Sequence, residues 1–470
     1  MKLLRLLAAA ASLLLLLAAC AAPRPPAAVA GDPPPRWYAP LPHGGALADL
    51  RQWWRQFNDP LLAELVEAAQ AVSPDVATAG SRIAEARAAR VAAEASMLPS
   101  LDASVSATRG NAQAGVPLST IVQGSLQTAW EIDLFGGLGA RSDAARARLA
   151  GAQAGWHDAR VAIAAETALT YVDLRTCERQ LAVLINDERS RAETARLTAL
   201  SAEAGFTAPA VASQARASAA EGAVRTTLQR GQCELAVKAL VALSGIDEPR
   251  LRQQLAAPWG EPGESALLAL PAVPAQLLLQ RPDVYQAERE VEAASAEVGA
   301  ARADRFPRLT LTGQIAAGTV HAGGRTLDAQ TWAIGPVALS VPLFDGGRLA
   351  AAEDAAAGRY EQAAALYAAR VRQAVREVEQ SLVNLQTAQD RSGDVRTAVE
   401  GYRASFLATE ARYLSGLGSL IELEDQRRVL LVAETAQVLL QRDRLAAWIA
   451  LYRAVGGGWA RPDATLAGGD

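Results

Sequence analysis

Apolar residues recur along this chain with two periods, that of a helix and that of a strand, and the two follow one another in an order that occurs twice. After Asp59-Pro60, Leu61, Leu62, Leu65, Val66 and Ala69 fall at helical spacing. A second helix starts near Pro74-Asp75, with proline in the first turn and an acid near the positive end of the helix dipole. It runs through an Ala/Arg/Glu-rich stretch to Met97, and Pro99 ends it. Alternation then takes over. Leu101, Val105 and Ala107 interleave with Asp102, Ser104, Ser106 and Thr108 in a strand over about 99–109. Beyond a loop at 109–120, Leu126, Trp130, Ile132 and Leu134 interleave with Gln127, Glu131 and Asp133 in a second strand over about 121–135. Two long helical segments follow. No Gly or Pro occurs from Trp156 to Ala204, and a helix over 141–204 would be about 95 Å long. Helices of that length are stable when they pack laterally as coiled coils.

The same plan returns about 210 residues later. Leu309, Leu311 and Ile315 alternate with Thr310, Thr312 and Gln314 in a strand over about 307–318. A loop at 319–330 leads to a fourth strand over about 331–344, where Leu339, Val341 and Leu343 match Trp130, Ile132 and Leu134. From Leu343 to Arg461 there is no proline. Pro74-Asp75-Val76 recurs as Pro282-Asp283-Val284, and Val172, Leu174 and Thr176 recur as Val383, Leu385 and Thr387, offsets of 208 and 211. One helical hairpin turns at Gly205-Phe206-Thr207 and the other at Gly416-Leu417-Gly418, since glycine ends helices in the left-handed conformation. The expected organisation is a first repeat over 60–245, a Pro/Gly-rich linker at 246–275, a second repeat over 276–455 and a tail at 456–470.

The strands, with one greasy and one polar face and enough length for a tilted crossing, suit the wall of a membrane barrel. Four strands cannot close one, and an open edge in lipid leaves backbone N–H and C=O groups unpaired. The chain must therefore oligomerise, two copies supplying eight strands or three supplying twelve. Asp102, Glu131 and Asp133 share the polar side, where they give either a cation bias or ordinary lumen solvation.

The N-terminus carries an address. Lys2 and Arg5 precede an apolar run over 6–19, too short to span a membrane, which ends Leu17-Ala18-Ala19-Cys20. This resembles a bacterial lipobox: residues 1–19 are a signal peptide, and Cys20 would carry covalent diacylglycerol and an N-acyl chain. Ala21, in place of Asp, fits the outer membrane. Residues 20–59 would form a tether, Pro-rich over 21–36, and an equatorial segment. Only Cys177 and Cys233 remain, each 28 residues from Gly205, so a turn there sets both thiols at one height, as a disulfide or as two buried free thiols. The formal net charge of −4 and the absence of a Lys/Arg block leave no nucleic-acid footprint. His43, His157 and His321 lack partners at ligand spacing, no catalytic constellation appears, and no metal or other cofactor is expected.

The segments Trp53-Trp54-Arg55-Gln56-Phe57-Asn58-Asp59-Pro60-Leu61, Leu278-Leu279-Gln280-Arg281-Pro282-Asp283-Val284, Ala301-Arg302-Ala303-Asp304-Arg305-Phe306-Pro307, Leu343-Phe344-Asp345-Gly346-Gly347-Arg348 and Leu451 to Trp459 resemble the TolC-like outer membrane efflux family, in its lipid-anchored drug-efflux branch. The resemblance covers nearly the whole mature chain. It implies a mainly α protein with a β membrane part, a homotrimer with a twelve-stranded outer-membrane barrel continuous with a periplasmic α-helical barrel. It further implies a periplasmic adaptor and an inner-membrane resistance–nodulation–division pump as partners. Tyr413, Glu422 and Asp425 match the family's periplasmic gate; their alternative is as solvated helix-face charges. Gly418 stands where some relatives carry a basic residue, and Arg427 is the substitute within reach. Gly205, Phe206, Thr207, Gly416, Leu417 and Gly418 match the tips that meet the adaptor. The expected function is passive, gated export of small toxic compounds. A type I protein-secretion duct, a metal-ion efflux duct and a lipid-anchored coiled-coil scaffold are the alternatives.

Overall fold

The computed structural model describes residues 22–29, 54, 59–111, 118–259, 281–459 and 461. Cys20, the signal segment, His43, most of the Trp53–Asn58 motif and Leu278–Gln280 lie outside the described residues. The described elements are helices α1 (Pro60–Val72) and α2 (Pro74–Ala95), strands β1 (Ser100–Gly110) and β2 (Ser119–Ile132), and helices α3 (Gly137–Glu203), α4 (Pro209–Ser244) and α5 (Glu248–Leu255). Helix α6 (Pro282–Ala303), strands β3 (Arg308–Ala322) and β4 (Arg325–Ser340), and helices α7 (Arg348–Leu414) and α8 (Leu420–Ala454) follow. The duplication is visible in the lengths. Helices α2 and α6 have 22 residues each, α3 and α7 have 67 each, and α4 and α8 have 36 and 35. Among the described residues no helix is long and apolar enough to cross a membrane.

The chain divides into two compact units, one drawn from 1–31, 80–155 and 285–370, the other from 32–79, 156–284 and 371–470. The first holds an antiparallel sheet in the order β1-β2-β3-β4. Its register joins Leu101 to Thr128, Leu126 to Ile315 and Ile315 to Trp332, so the apolar alternants of all four strands share one face. Val105, Ile315, Trp332 and Ile334 on that face are largely exposed. The other face aligns Asp102 with Gln127 and Gln127 with Gln314, and Ser104 meets Ser125 at 2.8 Å between hydroxyls. Along β3 the apolar band runs from Leu309 to Ala317, roughly 30 Å at strand rise. Beyond it the same face carries Thr319, His321 and Asp328.

The loop expected at 319–330 is strand instead. Only Gly323 and Gly324 turn, at φ 58° and 79°, and Ala322 pairs with Arg325. A two-residue hairpin needs positive φ at both central positions, which two glycines supply, and the β-branched Thr319 and Val320 extend the ladder to it.

The same unit includes part of the N-terminal segment. Residues 22–29 are extended but docked. Arg24 pairs with Asp143 of α3 at 2.9 Å, Ser295 and Arg302 of α6 donate to the carbonyls of Pro25 and Pro23 at 2.6 and 2.5 Å, and Tyr360 of α7 donates to Pro26 at 3.0 Å. Proline has no N–H to lose, and its carbonyls find donors on the helices. Ala144, Ala147, Ala293 and Ala296 form the buried contact between α3 and α6, where small side chains let the helices approach closely.

The second unit has a larger core. Asp59 caps α1, accepting from Leu61 N at 3.0 Å, and Leu61, Leu62, Leu65, Val66 and Ala69 are buried as their spacing predicts. Tyr171 also donates to Asp59, and burial raises its pKa above the ordinary tyrosine value. Buried Arg281 donates to Ala454 O at the end of α8 (2.8 Å) and pairs with Asp283 and Glu377, each at 2.8 Å. Cys177 of α3 and Cys233 of α4 are bonded, with their Cα atoms 5.5 Å apart. The bridge spans 56 residues, so its loss is expected to lower stability by about 2–4 kcal/mol, chiefly by freeing the unfolded chain. Denaturant titration of Cys177→Ser/Cys233→Ser against the oxidised protein measures this, and superimposable curves would show the bridge contributes nothing.

Candidate functional site at the hairpin tips

All the tip and gate positions named from sequence lie in the second unit. The two hairpins turn by the same device. Phe206 N donates to Ser201 O at 2.9 Å, and Leu417 N donates to Arg412 O at 2.8 Å, each spanning five residues around a left-handed glycine. Gly205 has φ 79° and Gly416 has φ 76°. This Schellman closure satisfies the carbonyls that a helix end leaves open. Thr207 is held by Ser201, hydroxyl to hydroxyl at 2.6 Å, and Pro209 opens α4. Ser419 opens α8 with a capping box: its hydroxyl accepts from Glu422 N at 3.2 Å, and the Glu422 carboxylate accepts from Ser419 N at 3.3 Å. Phe206 and Leu417 are 87% and 74% exposed at the apices, which leaves each tip an apolar point. A Cβ at Gly418 would sit 3.2 Å from Tyr413 N, close against the last turn of α7.

The four gate positions do not converge. Tyr413 meets Thr198 of α3 at 2.7 Å between hydroxyls, and its ring lies against the buried cluster of Ala195, Ala215 and Leu420. Glu422 is spent on the cap, with Arg412 at 3.9 Å. Asp425 is 58% exposed and pairs with Arg428 at 2.9 Å, a surface contact. Arg427 does not pair with Asp425 within the protomer. Its position on α8 turns it inward, where it is 3% exposed. It donates to Glu424 at 2.6 Å, Ser190 Oγ at 2.9 Å and Thr194 Oγ1 at 3.0 Å. Burial pushes its guanidinium down from the ordinary value, against the pull of Glu424.

Arg427 belongs to a network that sequence reasoning missed. The Glu424 carboxylate bridges Arg427 and Arg191, with Arg191 Nη1 at 2.5 Å from the second oxygen. Arg191 also holds Asp187 at 2.8 Å and Ser218 Oγ of α4 at 2.6 Å, and Ser218 donates to Glu424 at 2.8 Å. Two buried cations thus interleave with two acids, tying α3, α4 and α8 together. The signal was present on α3. Asp187, Arg191, Thr194 and Thr198 stand at steps of four, three and four, one polar stripe along the helix. Elsewhere in this unit Arg442 pairs with Asp173 at 2.8 Å and Arg179 with Gln441 at 2.6 Å, continuing a polar seam between α3 and α8. His157 lies against Trp156 and Trp459, at ring centroids of 5.0 and 6.3 Å. His321, on β3, is 2.6 Å from Thr326 Oγ1. Among the described residues no group of three His, Cys, Asp or Glu side chains is placed to hold a metal ion.

A family model described as outer membrane efflux protein matches residues 65–246 and 273–457. The chain is 30% identical over 417 residues to nodulation protein T of Rhizobium leguminosarum bv. trifolii, covering 87% of this chain and 88% of that one. It is 29% identical over 413 residues to the toluene efflux pump outer membrane protein TtgI of Pseudomonas putida, covering 86% and 87%. The solved structure of the outer-membrane channel OprN is similar with a TM-score of 0.81 at 28% identity, over 93% of this chain and 97% of that one.

Removing Arg427 leaves Glu424 buried with half its pairing gone. Arg427→Ala is expected to cost about 3–5 kcal/mol, whereas Asp425→Ala, which breaks an exposed pair, costs about 1 kcal/mol or less. Chemical denaturation of the two variants side by side tests the ranking; equal costs would mean the inner network carries no more weight than the surface pair.

Proposed function

This chain belongs to the outer membrane efflux protein family, and from that premise we propose that it is the exit duct of a tripartite pump. In this reading three protomers close one twelve-stranded barrel in the outer membrane, and their helices continue as an α-helical barrel through the periplasm. The observation that carries the reading is the sheet. Its apolar face is exposed, and its two outer strands, β1 and β4, each have a neighbour on one side only among the described residues. In hydrocarbon every unpaired backbone group costs several kcal/mol. Pairing β4 of one protomer with β1 of the next removes both edges at once. The apolar band of roughly 30 Å then faces lipid, and the row of Asp102, Gln127 and Gln314 faces a water-filled lumen.

The N-terminal segment supports a lipid anchor at the same level. Ala22 N–H reaches Phe135 O, at the corner where β2 gives way to α3, at 3.5 Å. In this reading acyl chains on Cys20 hold the protomer on the bilayer. The apolar tips Phe206 and Leu417 would meet a periplasmic adaptor, and an inner-membrane resistance–nodulation–division transporter would supply energy and select the cargo. Small amphipathic toxic compounds are the expected cargo, as the toluene pump relative implies. The gate would lie where Tyr413 holds Thr198, with Glu422 and Asp425 as the exposed charges that repel their symmetry mates.

The detergent-solubilised protein is expected to be a trimer and to conduct ions across a planar bilayer. A monomer that keeps its fold, or a trimer that carries no current, ends this reading. Asp425→Ala is expected to raise conductance of the closed state, and unchanged conductance would remove Asp425 from the gate.

A further inference from the structure

Four helix ends meet at the tips, and one of them is held differently from the rest. The turning glycines Gly205 and Gly416 are 211 residues apart, so the last stretch of α3, 191–203, matches 402–414 at the end of α7. In α3 that stretch buries Arg191, Thr194, Ala195 and Thr198. The matching lengths at the starts of α4 and α8 bury Ala212 and Ala215, and Leu420, Leu423, Arg427 and Leu431. In α7 no residue of 402–414 is buried within the protomer, and the last buried residue before them is Val399. Segments with so few buried contacts are the ones that open most readily.

What holds this stretch is polar and near the surface. Arg403 pairs with Glu434 at 2.7 Å, Ser405 donates to Gln426 at 2.8 Å, and Tyr413 meets Thr198 at 2.7 Å. The half-buried Phe406 ring lies under the Arg427 guanidinium, 5.7 Å from it. Exposed pairs add little to stability. By contrast, α8 is seated on α3 through Arg427, Glu424 and Arg191, and α4 is bonded to α3 through Cys177 and Cys233.

Gly401 stands at the boundary between the buried and the surface-held parts of α7. Its counterpart in the first copy is Ser190, whose hydroxyl accepts from Arg427. A glycine inside a helix weakens it relative to alanine. Nothing in the protomer requires one here, since a Cβ at Gly401 would meet no atom within 4 Å. Gly393 is equally open, but buried Ala388 and Val399 hold α7 on both sides of it. We infer that Gly401 is a hinge, at which residues 402–414 swing away from α3 and α8 as a rod about 20 Å long when the tip opens. The swing breaks the contacts of Arg403, Ser405 and Tyr413 and leaves the network of Arg427, Glu424 and Arg191 intact. The hinge rests on the reading of the tips as a gate.

Amide hydrogen exchange of the full-length protein, solubilised as its trimer, tests the hinge without requiring an open channel. Bending at Gly401 breaks the helical hydrogen bonds that residues 402–405 donate across it. These amides are expected to exchange faster than their counterparts at 191–194. Gly401→Ala is expected to slow them roughly fivefold and to lower the open fraction in planar-bilayer recordings by a similar factor. Gly393→Ala is expected to change neither. Equal exchange at the two stretches, or an equal effect of the two substitutions, overturns the hinge. Loss of the trimer in Gly401→Ala also overturns it, because the bare backbone would then serve to admit the next protomer. A wild-type trimer that carries no current removes the gate reading, and the exchange comparison still decides by itself whether α7 bends at Gly401.

Discussion

A β-sheet edge cannot be left bare in hydrocarbon, because nothing there can hydrogen-bond the backbone. The four strands of this chain form a ladder with two such edges and an exposed apolar face. The surface that would be a liability for a soluble sheet is the surface a membrane wall needs, provided that other copies supply the missing neighbours. The apolar band and the polar rows opposite it come from the alternation of four paired strands, interrupted in β4 by an irregularity opposite Leu311 and Gly313, so the two faces are set together. A slip of one residue would exchange them. The tight Gly323-Gly324 hairpin pins that register between β3 and β4.

The helical part is governed by a different interaction. Glu424 sits between Arg191 and Arg427, with Asp187, Ser190, Thr194 and Ser218 completing the shell. Burying such charges carries a desolvation cost that offsets much of their attraction, so the network adds less to stability than its short distances imply. Its value lies in geometry. With Arg191 of α3 on Glu424 and Arg427 of α8 on Ser190 and Thr194, the polar contacts accept one alignment of α3 against α8, whereas the alanines and leucines around them tolerate many. The bond between Cys177 and Cys233 acts in the same sense on α3 and α4. Outside this inner frame, Tyr413 on Thr198 and the exposed Asp425–Arg428 pair are cheaper to rearrange, which suits a part proposed to open and close.

Duplication produced two similar halves, and the differences between them mark where each half does separate work. Arg281 stands where the first copy has Ser73, and only the arginine reaches across to the end of α8. The charged Arg305–Arg308 start of β3 has no counterpart at β1. The N-terminal segment lies along α3, α6 and α7 near the sheet and so also distinguishes one repeat from the other. A duplicated plan sets the lengths of the elements, and later substitution at their ends assigns them roles.

Local pattern revealed the faces of the strands and the two long helical hairpins with turns at Gly205 and Gly416, because each depends on residues close together in the chain, but it missed the short helix α5 inside the expected linker. The impossibility of closing a barrel with four strands also followed from counting. The equal spacing of Cys177 and Cys233 from Gly205 brought the thiols to one height but did not decide whether they bond; their separation is a property of how two helices pack. The surroundings of the candidate gate positions were legible only in part. Tyr413, Glu422, Asp425 and Arg427 are neighbours in sequence, yet a helix turns successive side chains through about 100°, so Arg427 points inward to Glu424, Ser190 and Thr194 while Asp425 points out to Arg428. The partners of buried Arg427 on α3 lie more than 230 residues away, and no local pattern carries that pairing. The docking of residues 22–29 escaped for the same reason: their composition says extended, and only the helices that donate to their carbonyls decide whether an extended segment is loose or held.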